Sequence, residues 1–294
     1  MLVGNRVQKL SSQCSEKISI SVNIPGEKSM LRYLWILSLL VMFAKASQAS
    51  QVIPIPPIEK CFLCSSEPSL TMHWEGKNSK ALLLFIPGGG GQIGLKPNTS
   101  DHGFHFHQTL KRLTNPDLTS GSFDVVLMDS PSSLAVTNAD QAPRASNDHM
   151  IRIESVLRFY KEKTRLPVWL MGHSNGALSL SNFLSHARRH GKVDLIDGMI
   201  VSAARNQSYF SGSIGFPMLF LHHKDDGCEN TSWQSSFRNF ERIKQANTIQ
   251  MEFVGIAGGD TESGNPCTSG THMYKGAGDE VAKQIDRFMQ SVYK

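Results

Sequence analysis

Nowhere in this 294-residue chain does an apolar run reach the roughly 20 residues that a membrane-spanning helix requires. The longest, Tyr33 to Ala44, is about a dozen residues, too short for a stable span. Also missing is any Lys/Arg stripe with interleaved aromatics, which argues against nucleic acid as a partner. Internal repeats and low-complexity tracts are absent, so nothing points to a solenoid or array. Neither sign of charge dominates, with 30 Lys and Arg against 25 Asp and Glu for a formal net charge of +5. Cysteine is sparse, at five. No second C-x-x-C accompanies Cys61 and Cys64, which counts against a zinc site, and no βαβ opening follows them, which counts against a thioredoxin-like site.

What the short apolar run does have is the anatomy of an export signal. Lys28 and Arg32 lie at its start, and Ser47 and Ala49 offer the small residues needed for cleavage after Ala49. Residues 1–49 are expected to be a signal peptide, with Met30 as a second candidate initiator. The mature chain is then periplasmic or secreted, with no membrane span after processing. This segment holds Arg6, Lys9, Lys17, Lys28, Arg32 and Lys45 against Glu16 and Glu27. Six basic less two acidic residues is four of the five net charges, so the mature chain is near neutral. Cys14 leaves with the segment, and Cys61, Cys64, Cys228 and Cys267 remain in a compartment that permits disulfides.

Residues 50–70 read as an extended N-terminal arm, because the prolines of Ile53-Pro54-Ile55-Pro56-Pro57-Ile58 keep it out of helix. Residues 71–294 read as a single domain. Within it, short apolar runs at Ala81–Pro87, Phe123–Met128, Pro167–Met171, Leu195–Val201, Met218–His222 and Gln250–Ile256 have strand length. Amphipathic segments at Phe106–Leu113, His149–Thr164, Ala177–His190, Trp233–Gln245 and Asp279–Val292 have helix length. The alternation predicts βαβ units and a three-layer α/β/α sandwich around a mostly parallel sheet. Thr71 to Glu75 alternates like an antiparallel edge strand ahead of it. In such sheets, functional sites lie at the carboxyl ends of the strands.

One such end carries Gly172-His173-Ser174-Asn175-Gly176, between the strand Pro167–Met171 and the helix beginning at Ala177. A G-x-S-x-G in strand-turn-helix context raises the serine hydroxyl above the sheet on a tight turn that only small flanking residues allow. The following helix directs free N–H groups toward developing negative charge.

At these residues the sequence resembles the α/β-hydrolase family, over essentially the whole mature chain. The resemblance implies an oxyanion loop after an early strand, an acid after a late strand and a histidine before the last helix. Ile86-Pro87-Gly88-Gly89-Gly90-Gly91 is similar to the esterase His-Gly-Gly-Gly loop, with proline in place of histidine. It implies Gly89 or Gly90, together with Asn175 N–H, as oxyanion donors. A phosphate loop would end in Gly-Lys-Ser/Thr, which Gln92-Ile93-Gly94 does not supply. In His222-His223-Lys224-Asp225-Asp226, the family's spacing puts Asp226 in the acid position, with Asp225 as its rival. His272, the only histidine after His223, takes the base position. A triad of Ser174, Asp226 and His272 brings the loops bearing Cys228 and Cys267 together, so these two are expected to pair, leaving Cys61 with Cys64.

The implied activity is hydrolysis of an ester or related acyl bond through an acyl-enzyme intermediate, with no cofactor. Peptidase and thioesterase chemistry are variants of the same mechanism, and a catalytically silent binding protein is the alternative of a different class. Only about fifteen residues separate the strand at Leu195–Val201 from Pro217, too few for a lid subdomain. The open cleft this implies suits a bulky or polymeric acyl substrate. A second cluster, Asp101, His102, His105 and His107, has metal-ligand residue types. Its His-x-x-His-x-His spacing is not diagnostic, and no metal is expected there.

Overall fold

The computed structural model describes residues 51–59, 64–96, 105–135, 141–261 and 264–294. The expected signal segment 1–49, Cys61, and Asp101 and His102 of the histidine-rich loop lie outside these residues. One eight-stranded sheet organises the chain. Its strands are β1 (Val52–Ile55), β2 (Ser69–Trp74), β3 (Ala81–Ile86), β4 (Phe123–Asp129), β5 (Val168–His173), β6 (Gly198–Ser202), β7 (Met218–His223) and β8 (Met251–Ile256). The helices are α1 (His105–Lys111), α2 (Asn147–Thr164), α3 (Asn175–Arg189), α4 (Trp233–Gln245) and α5 (Gly278–Val292). In space the strand order is β1-β2-β4-β3-β5-β6-β7-β8. From β4 to β8 every pairing is parallel, whereas β1 and β2 join antiparallel.

Central strands buried on both faces need apolar residues at every position, and β3, Ala-Leu-Leu-Leu-Phe-Ile, is buried throughout. Leu82, Leu84 and Ile86 face a core layer with Val156 and Tyr160 of α2, Leu180 and Phe183 of α3, and Ile243 of α4. Ala81, Leu83 and Phe85 face the opposite layer, with Phe106 of α1 and Ile285 and Phe288 of α5. The result is the expected three-layer sandwich. Local signals set the helix ends: the Ser146 hydroxyl accepts the His149 N–H at 3.2 Å to start α2, and Arg165 at φ 60° ends it.

One reading of the N-terminal region is corrected. Within the extended arm, Val52–Ile55 pairs with β2 and forms the sheet edge. Pro54 is tolerated there because an edge strand has one side without ladder partners. Consequently β2, expected at the edge, is the second strand. Beyond β1 the arm is tied to α2. Ser155 Oγ accepts Ile58 N–H at 2.9 Å, and Asp148 accepts Ser65 N–H at 3.1 Å. Buried Arg152 pairs with Asp148 at 2.7 Å and donates to the carbonyls of Ser65 and Glu67.

The segment 203–217, between β6 and β7, contains no helix or strand, and its Phe210, Ile214 and Phe216 pack into the core. No lid subdomain is inserted at that point. Among the described residues, no helix is long and apolar enough to cross a membrane.

Strand order reverses direction at β3, whose neighbours are β4 on one side and β5 on the other. A crevice forms at the carboxyl ends where successive connections diverge to opposite faces. The Gly88–Gly91 loop follows β3 there, and Ser174 follows β5.

Candidate active site

Ser174 has φ 56° and ψ −117°, a conformation that costs free energy for any residue with a Cβ. Its surroundings over-determine it: Ser174 N–H donates to Ser202 O at 3.0 Å, and Ala177 N–H donates back to Ser174 O at 3.0 Å. The two motif glycines are required by contact distance. A Cβ on Gly172 would lie 2.4 Å from the Gly176 backbone, and one on Gly176 would lie 2.1 Å from Ile86 O. Asn175 is the first residue of α3, so its N–H has no acceptor within the helix.

Ser174 opens onto a cavity of about 180 Å³ that Gly88, Gly89, Gly90 and His272 also line. Phe85, Pro87, Ile93, Phe106 and Met273 make its apolar wall. Beneath Ser174, the Gly88–Gly91 turn closes with Gly91 N–H on Gly88 O at 3.0 Å. Gly89, at φ 53°, makes the turn possible.

Asp226 and His272 meet. Asp226 Oδ2 lies 3.0 Å from His272 Nδ1, and both side chains are 1 % exposed. A proton on Nδ1 donated to this carboxylate leaves the lone pair on Nε2, and buried Nε2 has no hydrogen-bond partner in the structure. Asp225, by contrast, is exposed; its N–H donates to His223 Nδ1 at 3.0 Å and its carbonyl accepts the Thr271 hydroxyl at 2.7 Å.

Asp226 has further partners that its motif does not signal. Thr231 Oγ1 donates to Asp226 Oδ2 at 3.0 Å, and Cys228 N–H donates to Oδ1 at 2.9 Å. His222 Nε2 lies 3.2 Å from Oδ2 without the alignment of a hydrogen bond, while its Nδ1 is bonded to Ser236 Oγ at 2.8 Å. Burial raises the Asp226 pKa, but His222, the hydrogen bond with His272 and the Cys228 N–H outweigh it and hold it well below the ordinary carboxylate range. By linkage, the stability this depression contributes is complete above the unfolded value of about 3.9 and is lost as pH falls through the folded pKa.

Under the site, His173 Nδ1, Ser202 Oγ and Tyr274 OH form a chain with steps of 3.0 Å. His173 stacks on Phe106 at 4.5 Å between ring centroids. Burial, reinforced by nearby His272, keeps His173 well below the usual imidazole pKa and therefore neutral. No local motif signals this chain, because its members come from three separate strand ends and loops.

Cys228 and Cys267 form a disulfide, as expected. Cys64 is also disulfide-bonded. Three noncovalent ties reinforce the link between the two loops: Asp226 with His272, Thr271 Oγ1 with Asp225 O, and His223 Nε2 with Gly258 O at 2.8 Å. Closing a loop with a sequence separation of 39 contributes about 4 kcal/mol in the chain-entropy model. Changing both Cys228 and Cys267 to serine should therefore lower the urea midpoint clearly while leaving most activity, since the noncovalent ties persist. An unchanged midpoint would show that the loops are held without the bond.

Of the histidine-rich segment, His107 lies within α1, its ring 6.0 Å from that of Phe85. Among the described residues, no group of three His, Cys, Asp or Glu side chains is arranged to hold a metal ion.

No family model matches the sequence, and no curated protein does. Solved structures do. Over 83 % of this chain and 100 % of its own, Est1E from Butyrivibrio proteoclasticus is similar at 14 % identity with a TM-score of 0.54. A dienelactone hydrolase from Anabaena variabilis matches 83 % of this chain over 99 % of its own, at 12 % identity and a TM-score of 0.53. An esterase from Pyrobaculum calidifontis matches 94 % over 96 %, at 13 % identity and 0.56. Side-chain identity is too low to carry function across, but the backbone path is shared nearly end to end. Together with the strand order and the serine turn after β5, it establishes that this chain has the α/β-hydrolase fold.

Proposed function

We propose that the protein is a serine hydrolase that cleaves an ester or related acyl bond, with Ser174 as nucleophile, His272 as base and Asp226 as the acid that orients it. The observation that carries this reading is His272 itself. Its Nδ1 is held by Asp226 at 3.0 Å, while its unpartnered Nε2 belongs to a residue lining the same cavity as Ser174. In the proposed reaction Nε2 takes the Ser174 proton as Oγ bonds to the acyl carbon. The oxyanion accepts hydrogen bonds from Asn175 N–H and from Gly89 or Gly90 N–H. Collapse breaks the bond to the leaving group, which receives the proton from His272, and water then repeats the sequence on the acyl-enzyme. Asp226, kept ionised by its hydrogen bonds, stabilises the imidazolium in both halves.

Two of the similar structures, an esterase and a dienelactone hydrolase, support the ester reading. The cavity is small and mostly apolar, which favours a short acyl part with the leaving group outside it, in place of the bulky acyl group expected from the open cleft. A second cleft of about 290 Å³ shares Gln92 as a wall, offering room for a larger leaving group. An oxidising compartment is supported by the Cys228–Cys267 bond, in keeping with export.

A fluorophosphonate probe tests the reading. It should label the folded protein and fail to label Ser174→Ala; a folded protein that resists labelling would be a binding protein instead. Turnover of p-nitrophenyl esters of graded chain length, beside peptide and thioester substrates, should favour short acyl esters.

A further inference from the structure

Arg144 lies in a 3₁₀ turn, Ala142–Ala145, ahead of α2, and is 1 % exposed. Its guanidinium lies against the glycine loop. One terminal nitrogen donates to Gly88 O at 3.2 Å and to Gly89 O at 3.1 Å. The other donates to Ser179 Oγ of α3 at 3.1 Å, itself bonded to His149 at 2.8 Å. A Cβ on Gly91 would come within 3.1 Å of the guanidinium, so the loop wraps it closely. Among the described residues no carboxylate pairs with Arg144, and Nε has no hydrogen-bond partner. Burial and the nearby charge of Arg205 lower its pKa to about 10, which leaves it cationic at neutral pH. An unneutralised buried cation is expensive, so its placement needs a reason other than stability.

The peptide geometry supplies one. Gly88 C=O and Gly89 N–H belong to the same planar unit, as do Gly89 C=O and Gly90 N–H. Across a trans peptide the N–H points opposite the C=O. A cation that draws both carbonyls to one side therefore turns the N–H groups of Gly89 and Gly90 to the other. It also withdraws electron density from both units, which strengthens those N–H groups as donors. Gly88, Gly89 and Gly90 all line the cavity beside Ser174.

We propose that Arg144 is a positioning residue of the oxyanion hole, orienting and polarising Gly89 and Gly90 N–H through the carbonyls behind them. The inference rests on the serine-hydrolase reading. Each carbonyl keeps another donor without Arg144: Gly88 O retains Gly91 N–H at 3.0 Å and Gly89 O retains Asn175 Nδ2 at 2.9 Å. The loop is thus satisfied in Arg144→Met, and the change isolates orientation and charge.

The test compares wild type, Arg144→Met and Arg144→Lys on a short p-nitrophenyl ester and on the matching trifluoromethyl ketone, whose hydrated or serine-bound form mimics the tetrahedral intermediate. In Arg144→Met, kcat should fall roughly 10- to 100-fold, less than the ~10²–10³-fold loss on removing a donor outright. KM should change less than about threefold, and ketone affinity should drop by the same factor as kcat/KM. The thermal midpoint should hold or rise, because a buried charge has been removed. Arg144→Lys should recover part of kcat. A wild type that neither labels with fluorophosphonate nor turns over the ester would overturn the hydrolase reading itself. An active wild type with kcat and ketone affinity unchanged in folded Arg144→Met would overturn only the role of Arg144. If Arg144→Met does not fold, Arg144→Lys decides: a selective loss of kcat and ketone affinity at unchanged KM supports the proposal, and unchanged values refute it.

Discussion

Ser174→Ala and His272→Ala should each lower kcat by roughly 10⁵–10⁶-fold, and the double variant should lose no more than the worse single one. The reason is that in the proposed mechanism both residues act on one proton. Without the Ser174 hydroxyl, His272 Nε2 has nothing to deprotonate; without His272, the hydroxyl at the turn is an unactivated alcohol. What remains in either case is binding and oxyanion stabilisation, so the second change removes nothing further. Ser174→Ala should fold normally, since the strained turn is held by backbone bonds to Ser202 and Ala177 and no side-chain contact is lost from the core. His272→Ala leaves the buried Asp226 carboxylate with Thr231, His222 and Cys228 N–H, so its kcat must be referred to the folded fraction. Single-turnover rates on the three variants are the measurement. Losses that multiply in the double variant would mean that the two side chains act independently, and the proposed pair would be wrong.

Asp226→Asn should reduce kcat by ~10³–10⁴-fold while Asp225→Asn changes it less than about threefold. An asparagine is isosteric with aspartate, but its amide nitrogen facing His272 Nδ1 donates where the carboxylate accepted. The imidazole then carries its proton on Nε2, the position that must be free to receive one. The depressed pKa of Asp226 means that its carboxylate stays ionised across the working range, so an acid limb of the pH profile does not arise from it. Asp225 is exposed and engages its neighbours through backbone atoms alone, so its carboxylate has no part to lose. Kinetics of both variants on one ester separate the assignments, and a severe Asp225→Asn with a mild Asp226→Asn would transfer the acid role.

Much of this arrangement is legible in the linear chain. The parallel strands lie within about three residues of the apolar runs, because a strand buried on both faces must be continuously apolar. Helix α4 runs from Trp233 to Gln245, as its amphipathic pattern predicts, with Ser232 supplying the cap. The serine turn is legible because Gly172 and Gly176 sit where any Cβ would collide with backbone. The role of Val52–Ile55 was not, since Pro54 reads as a strand breaker until an edge position without a needed N–H is known. Neither were Thr231 and Arg144, which lie in no motif, nor the approach of His222 to Asp226.

What the sequence determined by itself is local: which segments are strands, which are helices, and that a serine, a glycine loop and an aspartate each stand at a strand end, with a histidine in the loop before the last helix. Only the tertiary structure decided which of them meet. The strand order puts β3 beside β5, so the glycine loop and Ser174 share one crevice, and it puts β7 beside β8, so Asp226 reaches His272 across 46 residues. Arg144 reaches Gly88 across 56. Such distances in sequence leave no periodicity to read, because the contacts are set by how two faces of a sheet are covered and not by the spacing of residues along one segment.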